Sequence, residues 1–83
     1  AIYPQVLKNV RVTDKTQAQN DADVRAMVER AAKELGTDGR ILVRESGTEP
    51  LVRVMVEAGN VETCEKYVDA VIDVIRSKGY VIE

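Results

Sequence analysis

Apolar positions along this chain recur with two different periods, and the two alternate. From Leu51 to Ala58 the period is two: Val52, Val54 and Val56 share one face, and Arg53 falls on the other. That alternation predicts a half-buried strand. Arg40 to Arg44 repeats it on a shorter span, with Ile41 and Val43 on one side. Gln5 to Thr13 predicts a first strand whose Val6, Val10 and Val12 face is interrupted by Lys8. Elsewhere the period is that of a helix. Val24, Met27, Val28, Ala31 and Leu35 form one stripe, as do Val61, Cys64, Val68, Val71, Ile72 and Ile75.

The ends of these segments agree with their periods. Asn20 or Asp21 can accept hydrogen bonds from the free N–H groups of the first helix, and Asp23 adds favourable charge there. Gly36 stops it, and Thr37-Asp38-Gly39 makes a tight turn. Gly59 ends the third strand and Asn60 caps the second helix, whose C-terminal end carries Arg76, Lys78 and Gly79. The polar stretch Asp14 to Gln19 predicts a loop, and Tyr80 to Ile82 a short last strand. The order is β-α-β-β-α-β. Two amphipathic helices must cover one apolar sheet face. The expected fold is therefore α+β: an open-faced sandwich, one mainly antiparallel sheet with both helices on the same side.

Composition narrows the function classes. Eighty-three residues make one small domain with a thin core, and 45% apolar content argues against disorder. A net charge of −2 offers no basic field for nucleic acid or anionic membrane, so neither is an expected partner. There is no run approaching the roughly 20 apolar residues of a membrane span. The single cysteine, Cys64, allows no intrachain disulfide and fits a reducing, cytoplasmic setting. Absence of histidine removes the usual neutral-pH general base and any zinc constellation. The opening Ala1 to Pro4 reads as a linker entering a domain that runs from 5 to 83, part of a longer protein.

Positive charge matters locally. Between the second and third strands lies Arg44-Glu45-Ser46-Gly47-Thr48-Glu49-Pro50, with Arg53 just beyond. Ser46 and Thr48 offer hydroxyl donors, and Gly47 lets the backbone approach an anion closely. Arg44 and Arg53 can make charge-assisted, bidentate contacts to phosphate oxygens. Alternation puts Arg44 opposite in direction to Ile41 and Val43, and Arg53 opposite to Val52 and Val54. Both arginines then face the helix-free side beside one loop. The competing reading is a plain hairpin connection built from ordinary turn residues. Glu45 and Glu49 are expected to support the loop rather than to do acid/base work, Glu49 more than Glu45. Pro50 helps end the loop. Ser46 lacks a histidine to activate it and is not expected to be a nucleophile, so no residue here is assigned a catalytic role. Cys64 is expected in the core, and Tyr67 and Tyr80 in packing or edge positions.

The run Arg-Glu-Ser-Gly-Thr-Glu-Pro-Leu-Val-Arg, from Arg44 to Arg53, resembles the phosphate-binding loop of the alpha-D-phosphohexomutases. Glu45 stands where the family pattern leads one to expect proline. The resemblance covers roughly the whole chain and is to the C-terminal domain of a four-domain enzyme. It implies a TATA-binding-protein-like version of the sandwich. It also implies a phosphosugar substrate, with its non-transferring phosphate held by Arg44, Ser46, Gly47, Thr48 and Arg53. The phosphoserine and Mg²⁺ would belong to the other three domains. Two alternatives stay open on the residues alone. One is a small-ligand regulatory module, since such domains often serve that role. The other is an RNA-binding sheet, disfavoured by the acidic charge and the lack of stacking aromatics.

Overall fold

The computed structural model describes residues 3–82. Strand β1 spans Gln5–Arg11, β2 Arg40–Glu45 and β3 Leu51–Glu57. They form one antiparallel sheet in the order β1-β3-β2, with the most regularly alternating segment at its centre. Helix α1 covers Lys15–Asn20, α2 Ala22–Leu35 and α3 Val61–Ser77, with one 3₁₀ turn at Gly36–Asp38. The α+β open-faced sandwich is as expected. Val52, Val54 and Val56 are completely buried against the helices, together with Val24, Ala31, Val68, Val71 and Ile75. Among the described residues no helix is long and apolar enough to cross a membrane.

Two expectations are corrected at the level of elements. Asp14 to Gln19 is not a loop: Asp14 caps α1, its carboxylate accepting from the Gln17 N–H at 2.9 Å, and Ala18 is buried. The Asp14-x-x-Gln17 spacing was the available signal. Six residues are too few for helical periodicity to register. The last strand shrinks to a single bridge between Val81 and Val12, flanked by Thr13 N–H to Tyr80 C=O and Ile82 N–H to Arg11 C=O.

Lys8 shares the helix-side face of β1 without a buried charge. β1 is an edge strand, and the ammonium leaves over the rim to Asp69 of α3 at 2.8 Å, which holds its pKa above the usual lysine value. Val61 is exposed, so the α3 stripe begins at Cys64. Cys64 is buried, its thiol within 3.4 Å of the Pro4 carbonyl, which also accepts from the Ala58 N–H at 3.2 Å. Pro4 is thus packed onto the domain. The first two residues of the expected linker lie outside the described residues.

The caps and helix ties are specific. Asp21 caps α2 by accepting from Asp23 and Val24 N–H groups, and Asn60 caps α3 by accepting from Thr63 N–H. Tyr67 of α3 donates its hydroxyl to Glu34 of α2 at 2.9 Å, and Tyr80, just past α3, donates to the α2 cap Asp21 at 2.7 Å. The Tyr80 hydrogen bond, helped by the capping amides and Lys78, holds the Asp21 carboxyl below its ordinary pKa. The Tyr67 hydroxyl, chiefly, does the same for Glu34. Both tyrosines are correspondingly raised. Gly39 is required for a different reason from the caps: a side chain there would collide with the Glu57 carbonyl across the sheet.

Candidate functional site

The two arginines come together as alternation suggests. Arg44 of β2 is the direct cross-strand partner of Arg53 of β3, and both are exposed on the helix-free face. Side chains so placed start about 5 Å apart, and like charges in that arrangement repel. Among the described residues neither guanidinium has a carboxylate within ion-pair distance. The chain thus spends stability on an uncompensated positive pair at the mouth of the β2–β3 loop. Asn9 of β1 stands on the other side of Arg53, completing a row across the sheet, and Arg11 lies one step further along the same face.

The loop is tied down at several points. Ser46 N–H donates to the Leu51 C=O at 2.9 Å, and Leu51 N–H donates to the Glu49 C=O at 2.8 Å. Pro50 C=O accepts from the Val12 N–H at 2.9 Å, which joins the loop to the end of β1. Ser46 is 8% exposed, the one polar residue in the buried class among those described. Its hydroxyl oxygen accepts long hydrogen bonds from Thr48 N–H at 3.4 Å and Glu49 N–H at 3.3 Å. The hydroxyl proton remains free to donate outward. Thr48 is exposed, and Gly47 faces open space where a side chain would meet nothing within 4 Å. Gly47 does not adopt a positive φ, so its use here is access to the backbone rather than a left-handed turn.

Of the two glutamates expected to support the loop, Glu45 makes side-chain and backbone hydrogen bonds to α1. The Glu45 carboxylate accepts from the Thr16 hydroxyl at 2.9 Å, and the Glu45 N–H donates to the Gln19 side-chain oxygen at 3.0 Å. Both partners belong to α1, so this helix buttresses the loop from the helix side. Glu49 contributes through its backbone, its N–H donating to the Ser46 hydroxyl oxygen and its C=O accepting from Leu51, and the residue is exposed.

One residue at the site was missed. Lys15, the first residue of α1, donates its ammonium to the Ser46 C=O at 2.6 Å in a partly buried contact. It places a third cationic group against the loop, 31 residues away in sequence. No local pattern marks it. The helix start at Asp14 was the nearest clue, since a cap there orients the first turn toward the loop. Among the described residues no group of three or more His, Cys, Asp or Glu could hold a metal ion.

The sequence matches the family described as phosphoglucomutase/phosphomannomutase, C-terminal domain, over residues 7–74. It is 80% identical over 81 residues to a phosphoglucosamine mutase of Lachnospira eligens, covering 98% of this chain and 18% of that protein. The phosphoglucosamine mutase of Bacillus subtilis is 53% identical over 76 residues, covering 92% of this chain and 17% of its own. The chain therefore spans about a sixth of the length of these curated relatives. Among solved structures, an N-acetylglucosamine-phosphate mutase of the alpha-D-phosphohexomutase superfamily, in its substrate complex, matches with a TM-score of 0.72 at 27% identity. That match covers 88% of this chain and 15% of that one. The Aspergillus fumigatus N-acetylphosphoglucosamine mutase in complex with glucose 1,6-bisphosphate matches in fold with a TM-score of 0.79 at 24% identity. Here the coverage is 95% and 16%.

Proposed function

Because this chain belongs to the family of phosphoglucomutase/phosphomannomutase C-terminal domains, we propose that it is the phosphate-anchoring domain of a phosphoglucosamine mutase. The parent enzyme would interconvert glucosamine 6-phosphate and glucosamine 1-phosphate. Choice of glucosamine over the mannose or glucose phosphates of other phosphohexomutases follows the relatives named above.

The observation that carries the reading is the Arg44–Arg53 couple, unpaired among the described residues, beside a loop that carries the Ser46 and Thr48 hydroxyls. A phosphate seated there removes the repulsion between the guanidiniums and gains charge-assisted hydrogen bonds from both. The Ser46 and Thr48 hydroxyls donate to its oxygens, and Gly47 leaves the backbone open to it. The Thr48 and Glu49 amides hold Ser46 only through long contacts, so they can turn to an incoming anion at little cost. Lys15 and Glu45 keep the loop in place without touching the ligand.

The chemistry itself belongs to the remainder of the longer protein. With no histidine in the chain, Ser46 has no base to activate it, and its oxygen is already accepting from the loop amides. Mg²⁺ would neutralise charge on the phosphoryl group in transfer, and in this reading it is held in the other domains, as is the phosphoserine. An anchor that reads only phosphate geometry suits such a reaction. A bisphosphorylated intermediate must turn so that either phosphate can face the serine, and this site accepts both orientations.

Titration of the isolated chain with inorganic phosphate and glucosamine 6-phosphate, followed by amide NMR, tests the reading. Binding should be weak, about millimolar, because one loop supplies few contacts. The shifts should concentrate at Arg44 to Glu49. Shifts elsewhere with those amides unmoved at saturation would place the ligand at another site.

A further inference from the structure

On the helix-free face, Leu7, Met55 and Leu42 are direct cross-strand partners and form one apolar row spanning the whole sheet. Leu7 is 56% exposed and Leu42 38%. Single exposed leucines are ordinary. A row aligned across all three strands, on the face that should alternate to polar, is not. One flank is the basic Asn9–Arg53–Arg44 row, and the other pairs Arg40 with Glu57 beside Gln5. The open-face positions of the strands carry Arg11, Arg40, Arg44 and Arg53 against Glu57, which lies 3.8 Å from Arg40. This positive face sits on a chain whose net charge is −2.

We propose that this face is a docking surface for the rest of the mutase polypeptide, and that the seated surface is apolar over the leucine row and acidic where it meets Arg40, leaving Arg44 and Arg53 to the phosphate. Two facts choose this occupant. More than four-fifths of the length of the relatives lies outside the segment matched by this chain. A second copy would present arginines to arginines, whereas an acidic surface complements them. The apolar row is two residues along each strand from the Arg44–Arg53 row, about 7 Å. A partner seated on it borders the phosphate site and shields it from water. The inference rests on the reading above only for the identity of that partner.

The experiment uses a chimera in which this chain replaces the matching segment of the Lachnospira eligens mutase. Leu42→Cys and Leu7→Cys probes are alkylated in the chimera and in the isolated chain, with Arg30→Cys, a 77% exposed side chain on α2, as control. Cys64 is buried and stays silent. Labelling of the two sheet probes should slow by about tenfold or more in the chimera, with the control unchanged. In a Leu42→Asp background the Leu7→Cys probe should regain reactivity more than in a Leu42→Lys background, because the acidic partner is repelled. Equal labelling in both contexts, equal protection of the control, or the opposite order of Asp and Lys overturns the proposal. So does protection in the isolated chain that grows with its concentration, which would mean that a second copy covers the face. Phosphate titration of the same samples separates the two readings. Protected probes without loop shifts sink the anchor alone, and loop shifts without protection sink the docking face alone.

Discussion

Arg44 and Arg53 are direct cross-strand partners, and that pairing sets the predictions at the scale of single residues. In the chimera, Arg44→Ala should lower kcat/KM by about ten- to hundredfold, the loss of a charge-assisted contact of roughly 1.5–3 kcal/mol. Arg44→Lys should recover only part of it, because a point charge does not replace a planar fork. Steady-state kinetics below saturation decide, and an alanine variant as active as its parent removes Arg44 from the site. Lys15 acts differently, through the Ser46 carbonyl rather than on the ligand. Lys15→Met should weaken phosphate binding by about fivefold, corresponding to ~1 kcal/mol for a partly exposed charged hydrogen bond. Hydrogen exchange at Ser46 to Glu49 should rise in step. Faster exchange with unchanged affinity would leave Lys15 as a loop tether without consequence for the ligand.

The elements divide into those held by the core and those held by caps. β3 is the central strand, and Val54 is wholly enclosed between its neighbours and the helices. Val54→Ala should cost about 2 kcal/mol and lower Tm by roughly 10 °C. Leu42→Ala in the isolated chain should fall within about 0.5 kcal/mol of wild type, since that side chain is not enclosed. Thermal melts of the pair compare the two sheet faces directly. Helix α1 buries little beyond Ala18 and depends on the Asp14 cap. Asp14→Ala should cost about 1 kcal/mol. Its effect should spread to the loop through Thr16, Gln19 and Lys15, which all touch residues 45 or 46. Chemical denaturation together with phosphate titration checks this, and a loss of stability with unaltered phosphate affinity would uncouple α1 from the site.

For the whole molecule, pH provides a test of how the helices are joined. Asp21 and Glu34 are held below their ordinary pKa values, first by the hydroxyls of Tyr80 and Tyr67 respectively. A depressed carboxyl contributes stability that is fully present above the unfolded value of about 4. That contribution is lost as pH falls through the lower folded value. Denaturant midpoints should therefore decline on the acid side, and Tyr80→Phe and Tyr67→Phe should each flatten that decline. The raised tyrosines work on the other side: their contribution is complete below about pH 10 and lost as pH rises through the folded values. An acid limb unchanged in both phenylalanine variants would show that these ties do not report on folding. The isolated chain should also show no phosphosugar isomerisation, whereas the chimera should. Turnover by the 83 residues alone would place the chemistry in this domain and refute its assignment elsewhere.

Periodicity settled the three main strands, the two long helices and, Val61 apart, the faces of the apolar stripes, because period two and period 3.6 are written locally. It also oriented Arg44 and Arg53 toward one side, and the resemblance carried by residues 44 to 53 pointed to phosphate. The structure alone decided which residues meet across long sequence separations. Strand order and register are set by how three strands share one core. They make Arg44 the partner of Arg53, bring Asn9 and Arg11 to the same face, and align Leu7, Met55 and Leu42 in one row. A six-residue helix with one buried alanine has too few contacts to announce itself. Its existence, and with it the reach of Lys15 to Ser46, depends on a cap at one end and packing against β2 and α2. The ties of Glu45 have the same origin: Thr16 and Gln19 of α1 reach it across 29 and 26 residues of sequence.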